Sequence, residues 1–204
     1  MQIEKINPKK PEQKKIKEAV EIIKRGGIVV FPTDTAYGFA VDALNEEAIG
    51  KLFIIKKRIQ KPLPVIVSNI TMVKEITLVS EKEIGIAKKY WPGPLTIILK
   101  KKGIVPSALT LGLDTIGVRI PDNKVALALI NLFGKPLTST SANITGQPNN
   151  YSAEAVERQF REEICQPDLI LDAGELPGIP VSTVIQIVDD KVQILRQGPI
   201  KIKT

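Results

Sequence analysis

The chain has no histidine and a single cysteine, Cys165, among its 204 residues. Without histidine, a Ser-His-Asp triad, a Cys-His dyad and histidine-ligated zinc are all excluded. One cysteine excludes an intrachain disulfide, a CxxC redox pair and a cysteine-ligated iron–sulfur cluster, and a reducing cytoplasmic setting is expected. Aromatic residues are scarce at 4%, which argues against base stacking as a main mode of nucleic-acid binding. No long hydrophobic run occurs. The longest, Val125 to Phe133, is interrupted by Asn131 and falls far short of the roughly 20 residues that span a bilayer. The opening stretch Met1–Pro11 is polar and lysine-rich, so no signal peptide is expected. Walker-type and GxGxxG phosphate loops are absent as well. Chemistry is left to Lys, Arg, Asp, Glu, Ser, Thr, Asn, backbone amides or a bound hard cation.

What is present is ordinary for a soluble globular chain: 43% hydrophobic and 25% charged residues. A chain of this length buries about 70% of its unfolded surface and needs no covalent staple. The expectation is a single domain over residues 1–204, with its core at about 10–200. The net charge of +7 suits an anionic partner such as a nucleotide or nucleic acid, and equally a lysine-rich solvated surface.

Periodicity predicts a helix over Glu12–Arg25, with Ile16, Ala19, Val20 and Ile23 on one face and Gly26-Gly27 as its stop. It predicts a buried strand at Ile28–Phe31, a helix capped by Asn45, a strand at Leu63–Val67 and a helix opened by a Ser80–Glu83 capping box. Further strands are expected at Leu95–Lys101, Ile116–Ile120 and Pro136–Thr140, with a helix between Pro121-Asp122 and Gly134. Ser152 should cap another helix, Leu169–Leu171 is a short apolar segment, and Val181–Val188 with Val192–Arg196 reads as a hairpin. This mixture predicts an α/β three-layer sandwich: a twisted mixed parallel and antiparallel sheet with helices on both faces.

Polar clusters fall where strands end, which is where open α/β sheets bind ligands. The stretch Pro32-Thr33-Asp34-Thr35-Ala36-Tyr37-Gly38 is either a polar cup or a turn capped by Asp34. Lys56, Lys57, Arg58 and Lys61 place four cations within six residues. They are either a phosphate clamp or cations complementing a helix C-terminus. Arg119 interrupts an apolar strand, so it is either a buried ion-pair partner or a carboxylate-binding group. In residues 138–146, six of nine side chains carry a hydroxyl or amide; such a loop holds phosphates or an amino group, or is simply Ser/Thr-rich. Ser182-Thr183 and Arg196 with Gly198-Pro199 complete the set.

Taken in order, PTDTAYG (32–38), KKR (56–58) with KPL (61–63), WPGPLTIIL (91–99), VRIP (118–121), TSANITG (140–146), STV (182–184) and LRQGP (195–199) resemble the YrdC-like family. That family contains the threonylcarbamoyl-AMP synthases. The resemblance implies a twisted mixed sheet with a concave, positively charged face. It implies condensation of L-threonine, bicarbonate or CO2 and ATP into threonylcarbamoyl-AMP, with release of pyrophosphate and with Mg2+ accompanying the ATP. A separate transferase complex would then modify an adenosine of tRNA. The chain is similar to the short form of the family, without the extra C-terminal domain of some members.

Residue by residue, the resemblance puts Lys56 and Arg58 on ATP phosphates and Ser141 and Asn143 around threonine and the nucleotide, these four being the catalytic set. Thr115, Tyr151 and Arg196 join the nucleotide contacts. Thr33, Thr35, Arg119 and Ser182 join Ser141 around threonine, with Arg119 on its carboxylate. No protein metal site is implied. The segment from Arg58 to Pro62 is one residue shorter than in many members, and Leu63–Ser68 lacks the histidine that many members place there. Two other readings stand beside this one. The first is an RNA-binding paralogue that uses its basic excess on tRNA or double-stranded RNA backbones. The second is a carbamoyl-transfer module like those of hydrogenase maturation factors, against which the single cysteine and the length argue. Arg58→Ala and Asn143→Ala are each expected to lose most of the synthase activity while remaining folded. Near-normal turnover with either variant in a pyrophosphate-release assay would overturn those assignments.

Overall fold

Helix α1 (Gln13–Lys24) forms because its apolar residues recur at helical spacing: Ile16, Ala19, Val20 and Ile23 are all buried. It ends at Gly26, whose φ of +76° suits glycine. Helix α2 (Glu46–Ile55) starts where the Asn45 side chain accepts the Ala48 N–H at 3.1 Å. The capping box expected at Ser80 is present and opens α4 (Glu81–Tyr90). Helix α6 (Lys124–Phe133) starts one step later than expected, because the cap is Asn123, which accepts from Val125 and Ala126. Helix α3 (Ile70–Ile76) was not anticipated. Its signal was Asn69, whose side chain accepts the Met72 N–H.

A computed structural model describes residues 1–57 and 61–202. Its strands fall into two hydrogen-bonded sets. The first runs β1 (Gln2–Lys5), β10 (Leu169–Asp172), β2 (Val29–Phe31), β3 (Gly38–Ala40), β9 (Thr140–Ser141). Its β1–β10–β2 pairs are parallel, and its β2–β3–β9 pairs antiparallel. The second runs β12 (Lys191–Arg196), β11 (Thr183–Val188), β6 (Leu95–Lys101), β7 (Thr115–Arg119), β4 (Val65–Ile66), β8 (Leu137–Thr138), with β5 (Thr77–Leu78) beside β6. It too mixes parallel pairs (β11–β6 and β4–β7) with antiparallel ones. The mixed α/β architecture is as expected. The division of its sheet is not legible in the sequence.

The division occurs inside the segment expected as one strand at Pro136–Thr140. Leu137–Thr138 pairs with β4, whereas Thr140–Ser141 pairs with β3. Thr138 stitches the two sets: its hydroxyl donates to Phe39 O and accepts the Val41 N–H, each at 3.1 Å. A bridge between Asp42 and Leu137 adds a second link. The β11–β12 hairpin turns over Asp189-Asp190, both in the left-handed region at φ 47° and 61°, as a type I′ turn requires.

Burial shows which faces are covered. Val29, Val30 and Phe31 on β2 and Leu169, Ile170 and Leu171 on β10 are consecutively buried, so both faces of that sheet are packed. Helix α1 lies on β2 and α6, and α7 (Ala153–Phe160) lies on β10. In the second sheet the residues alternate. Leu95, Ile97, Leu99, Ile116, Val118 and Ile185 belong to the apolar core. The residues between them turn to the other face, where the candidate site lies.

Thr138→Val keeps the side-chain shape but leaves the buried Phe39 carbonyl and Val41 N–H without that partner. It is expected to lower stability by about 1–3 kcal/mol. Urea denaturation with an unchanged midpoint would show that the hydroxyl stitch contributes nothing.

Candidate active site

The alternate residues of β6, β7 and β11 line a cavity of about 490 Å³, a size suited to small molecules. Thr96 and Ile98 come from β6, Thr115, Gly117 and Arg119 from β7, and Val184 and Gln186 from β11. Thr33, Thr35, Ser139, Thr140 and Ser141 enter from the loops that leave the first sheet, and Ser182, Leu195 and Arg196 from the C-terminal hairpin. A ring of hydroxyls thus surrounds two guanidinium groups. Among the described lining residues, Arg119 and Arg196 are the charged ones, and no carboxylate lines the cavity.

Each loop has a local reason for its shape. In the first, the Thr33 hydroxyl donates to Ala36 O at 2.7 Å and accepts from the Thr35 and Ala36 amides. With its proton so placed, the 3.0 Å contact with the Thr35 hydroxyl has Thr35 as donor. Tyr37 then ties this loop to its neighbours. Its amide donates to Asn150 O, and its carbonyl accepts the Ala142 N–H at 2.7 Å. Its hydroxyl donates to Gly174 O and accepts from Ala173. Burial pushes that phenol well above its ordinary pKa, so it remains a neutral donor.

The 140–147 loop is braced from within. The Ser141 hydroxyl donates to Asn143 Oδ1 at 2.6 Å, and Asn143 Nδ2 donates to Gln147 O at 2.5 Å. Beneath it lies Lys56, a residue only 1% exposed. Its ammonium donates to Ser141 O at 2.6 Å and Asn143 O at 2.8 Å, and stands 5.6 Å from the Phe39 ring centre. The Lys56 carbonyl in turn accepts the Thr145 N–H.

Arg119 is 6% exposed at its side chain and Asp34 12%, and the two form an ion pair through Nη2 and Oδ1. Arg119 Nε donates to Gly93 O at 2.9 Å. Beyond that ion pair, neither Asp34 oxygen nor Arg119 Nη2 has a hydrogen-bond partner. Burial pulls the Arg119 guanidinium below its ordinary pKa, and Asp34 opposes that pull. Arg196 donates through Nε and Nη2 to Ser182 O at 3.0 and 2.8 Å, and the Ser182 hydroxyl meets that of Thr96 at 2.8 Å. Its pKa is lowered by burial first and then by Arg119. Two cations that disfavour one another in one cavity make a site that an anion relieves.

Of the residues expected at a site, Thr33, Thr35, Thr115, Arg119, Ser141, Ser182 and Arg196 come together in this cavity. Lys56, Asn143 and Tyr151 are not among its lining residues. The Lys56 ammonium, expected on phosphates, donates to the carbonyls of Ser141 and Asn143, which positions both residues. Tyr151 is linked through its own carbonyl to the Leu176 amide. Arg58 lies outside the described residues. The sequence reading missed Thr96, Gly117 and Gln186. Alternation along their strands was the signal that placed them opposite the core.

Among the described residues, no cluster of three or more acidic or cysteine side chains is placed to hold a metal ion. No described helix is long and apolar enough to cross a membrane.

Lys56→Met keeps the apolar stem and removes the ammonium. Amide hydrogen exchange across residues 141–147 is expected to quicken by at least about tenfold, because buried carbonyls lose a charged donor. Unchanged exchange would show that the loop holds itself.

Comparison with known proteins agrees with this geometry. The family model Sua5_yciO_yrdC, described as Telomere recombination, matches residues 21–198. The threonylcarbamoyl-AMP synthase of Pyrococcus abyssi is 38% identical over 189 residues, covering 92% of this chain. The chain spans only 55% of that relative's length. The threonylcarbamoyl-AMP synthase of Vibrio campbellii is 34% identical over 191 residues, covering 91% of this chain and all of its own. The crystal structure of P. abyssi Sua5 complexed with L-threonine superposes with a TM-score of 0.91 at 36% identity, covering 97% of this chain and 58% of that one. The chain belongs to the Sua5/YciO/YrdC family.

Proposed function

We propose that the chain is an L-threonylcarbamoyl-AMP synthase. The observation that carries the reading is the cavity itself: two guanidinium groups and a ring of hydroxyls, with no carboxylate among its described lining residues. The substrates match that chemistry, since threonine carries a carboxylate and bicarbonate and ATP are anions. Relatives that bear this name share the fold and most of the sequence span.

In this reading threonine's neutral amine adds to CO2 with release of a proton to solvent, or to bicarbonate with loss of water, giving a carbamate. The carbamate oxygen attacks the α-phosphorus of ATP, and pyrophosphate leaves. No protein nucleophile is required. The demands on the protein are positioning and charge neutralisation. Arg119 takes the threonine carboxylate, and Ser141 and Ser182 supply hydroxyls to the same substrate. Lys56, Arg58, Thr115, Asn143, Tyr151 and Arg196 serve the nucleotide, and Lys56 and Asn143 also brace the loop that presents Ser141. Mg2+ would be held by the nucleotide's own phosphates and would supply charge neutralisation for the departing pyrophosphate. The product passes in the cytoplasm to a transferase that modifies tRNA.

The test is pyrophosphate release from ATP and bicarbonate, with and without L-threonine, and with L-serine as the control amino acid. Release that depends on threonine is expected. A folded protein that binds ATP and releases no pyrophosphate with any amino acid would overturn the reading.

A further inference from the structure

Asp34 does a job that the turn around it does not need. The Thr33 hydroxyl already closes that turn, so the Asp34 carboxylate is free to reach Arg119. Yet the pair is not built as a stabilising fork. Arg119 Nε is committed to Gly93 O, and both carboxylate oxygens and Arg119 Nη2 are buried without hydrogen bonds. A structural Arg–carboxylate pair gains most from two parallel N–H···O bonds. Buried polar groups left unbonded call for an explanation. Asp34 itself is not among the residues that line the cavity, but Thr33 and Thr35 on either side of it and its partner Arg119 are.

We propose that Asp34 receives the α-ammonium of the amino-acid substrate, which enters by dividing the Asp34–Arg119 ion pair between its own two charges. The proposal rests on reading the chain as an amino-acid-dependent synthase. The substrate's carboxylate takes Arg119 and its ammonium takes Asp34, so both buried charges stay paired and both gain hydrogen bonds. A simple carboxylic acid that took Arg119 would strand Asp34 as an uncompensated buried anion. A simple amine that took Asp34 would strand Arg119. The pair therefore selects for an α-amino acid by penalising everything else.

The test compares L-threonine with β-hydroxybutyrate, which is threonine without its amine, by calorimetry on the full chain. Pyrophosphate release is followed in parallel. The wild type is expected to prefer threonine by at least about tenfold. Asp34→Asn is expected to weaken threonine by about 10- to 100-fold, to leave ATP affinity unchanged and to abolish that preference. If Asp34 were only a counter-ion, the same substitution would free Arg119, and both acids would bind more tightly; that result overturns the proposal. Should Asp34→Asn fail to fold by circular dichroism, Asp34→Glu keeps the charge and displaces it by one methylene. It is expected to lose threonine affinity while keeping ATP affinity, and unchanged threonine affinity would count against the role. Threonine turnover with an unaltered KM in Asp34→Asn sinks the Asp34 role and leaves the reaction standing. No turnover with threonine, but Asp34-dependent binding of another α-amino acid, sinks the reaction and keeps the receptor. No amino acid bound by the folded wild type sinks both.

Discussion

A guanidinium buried between Val118 and Ile120 must be paired, because an uncompensated charge at such a position costs several kcal/mol. Much of the site follows from that requirement. Arg119 reaches Asp34, so the loop after β2 must pass close to β7 although the two strands lie in different sheets. Closing that loop on the Thr33 hydroxyl, rather than on the aspartate, is what leaves the carboxylate available. Tyr37 then carries the constraint onward. Its carbonyl fixes Ala142 and its amide fixes to Asn150, so the hydroxyl-rich loop is placed by the same turn that places Asp34.

The cations are used in two different ways, and the chemistry of the two side chains explains why. Lys56 is a compact charge with three donors, suited to converging on the carbonyls of one curved loop. Arg119 and Arg196 present planar forks that keep donors for a ligand after anchoring on backbone oxygen, Arg119 through Nε and Arg196 through Nε and Nη2. A lysine at position 119 would give up that division of labour. The positive field of the cavity comes from the arginines that line it, and the lysine beneath the loop fixes geometry.

Much of the fold was legible because its signals are local. The caps at Asn45, Ser80 and Ser152, the stops at Gly26 and Gly134 and the apolar spacing of α1 each fix an element from a few neighbouring residues. The edge strand β1 was missed because it is mostly exposed and lacks clear alternation. The break at Ser139 was missed because it depends on which distant strand each half finds, and short segments do not encode a partner. The candidate site divides in the same way. Arg119 announced itself as a charge inside an apolar strand, and the hydroxyl-rich loop by its composition. Nothing in a run of cations says which one will be buried, so the contacts of Lys56 with the loop carbonyls were not legible. Asp34 read as a turn cap, because only the three-dimensional structure shows that Thr33 already fills that role.

Absence of histidine is a constraint that the proposed chemistry tolerates for a physical reason. Carbamate formation and attack on phosphorus need an unprotonated amine and a stabilised leaving group, but no protein nucleophile. Acceleration in such reactions comes mainly from alignment and from fixed charge in a site that water does not reorganise. Arginines are suited to that task because they stay charged across the physiological range, even where burial lowers their pKa and, for Arg196, the neighbouring Arg119 adds to it. The cost is that an empty cavity holds excess positive charge. Asp34 offsets part of it until a ligand does, so in the proposed reading the ion pair that balances charge in the free protein is also the one that binding reorganises.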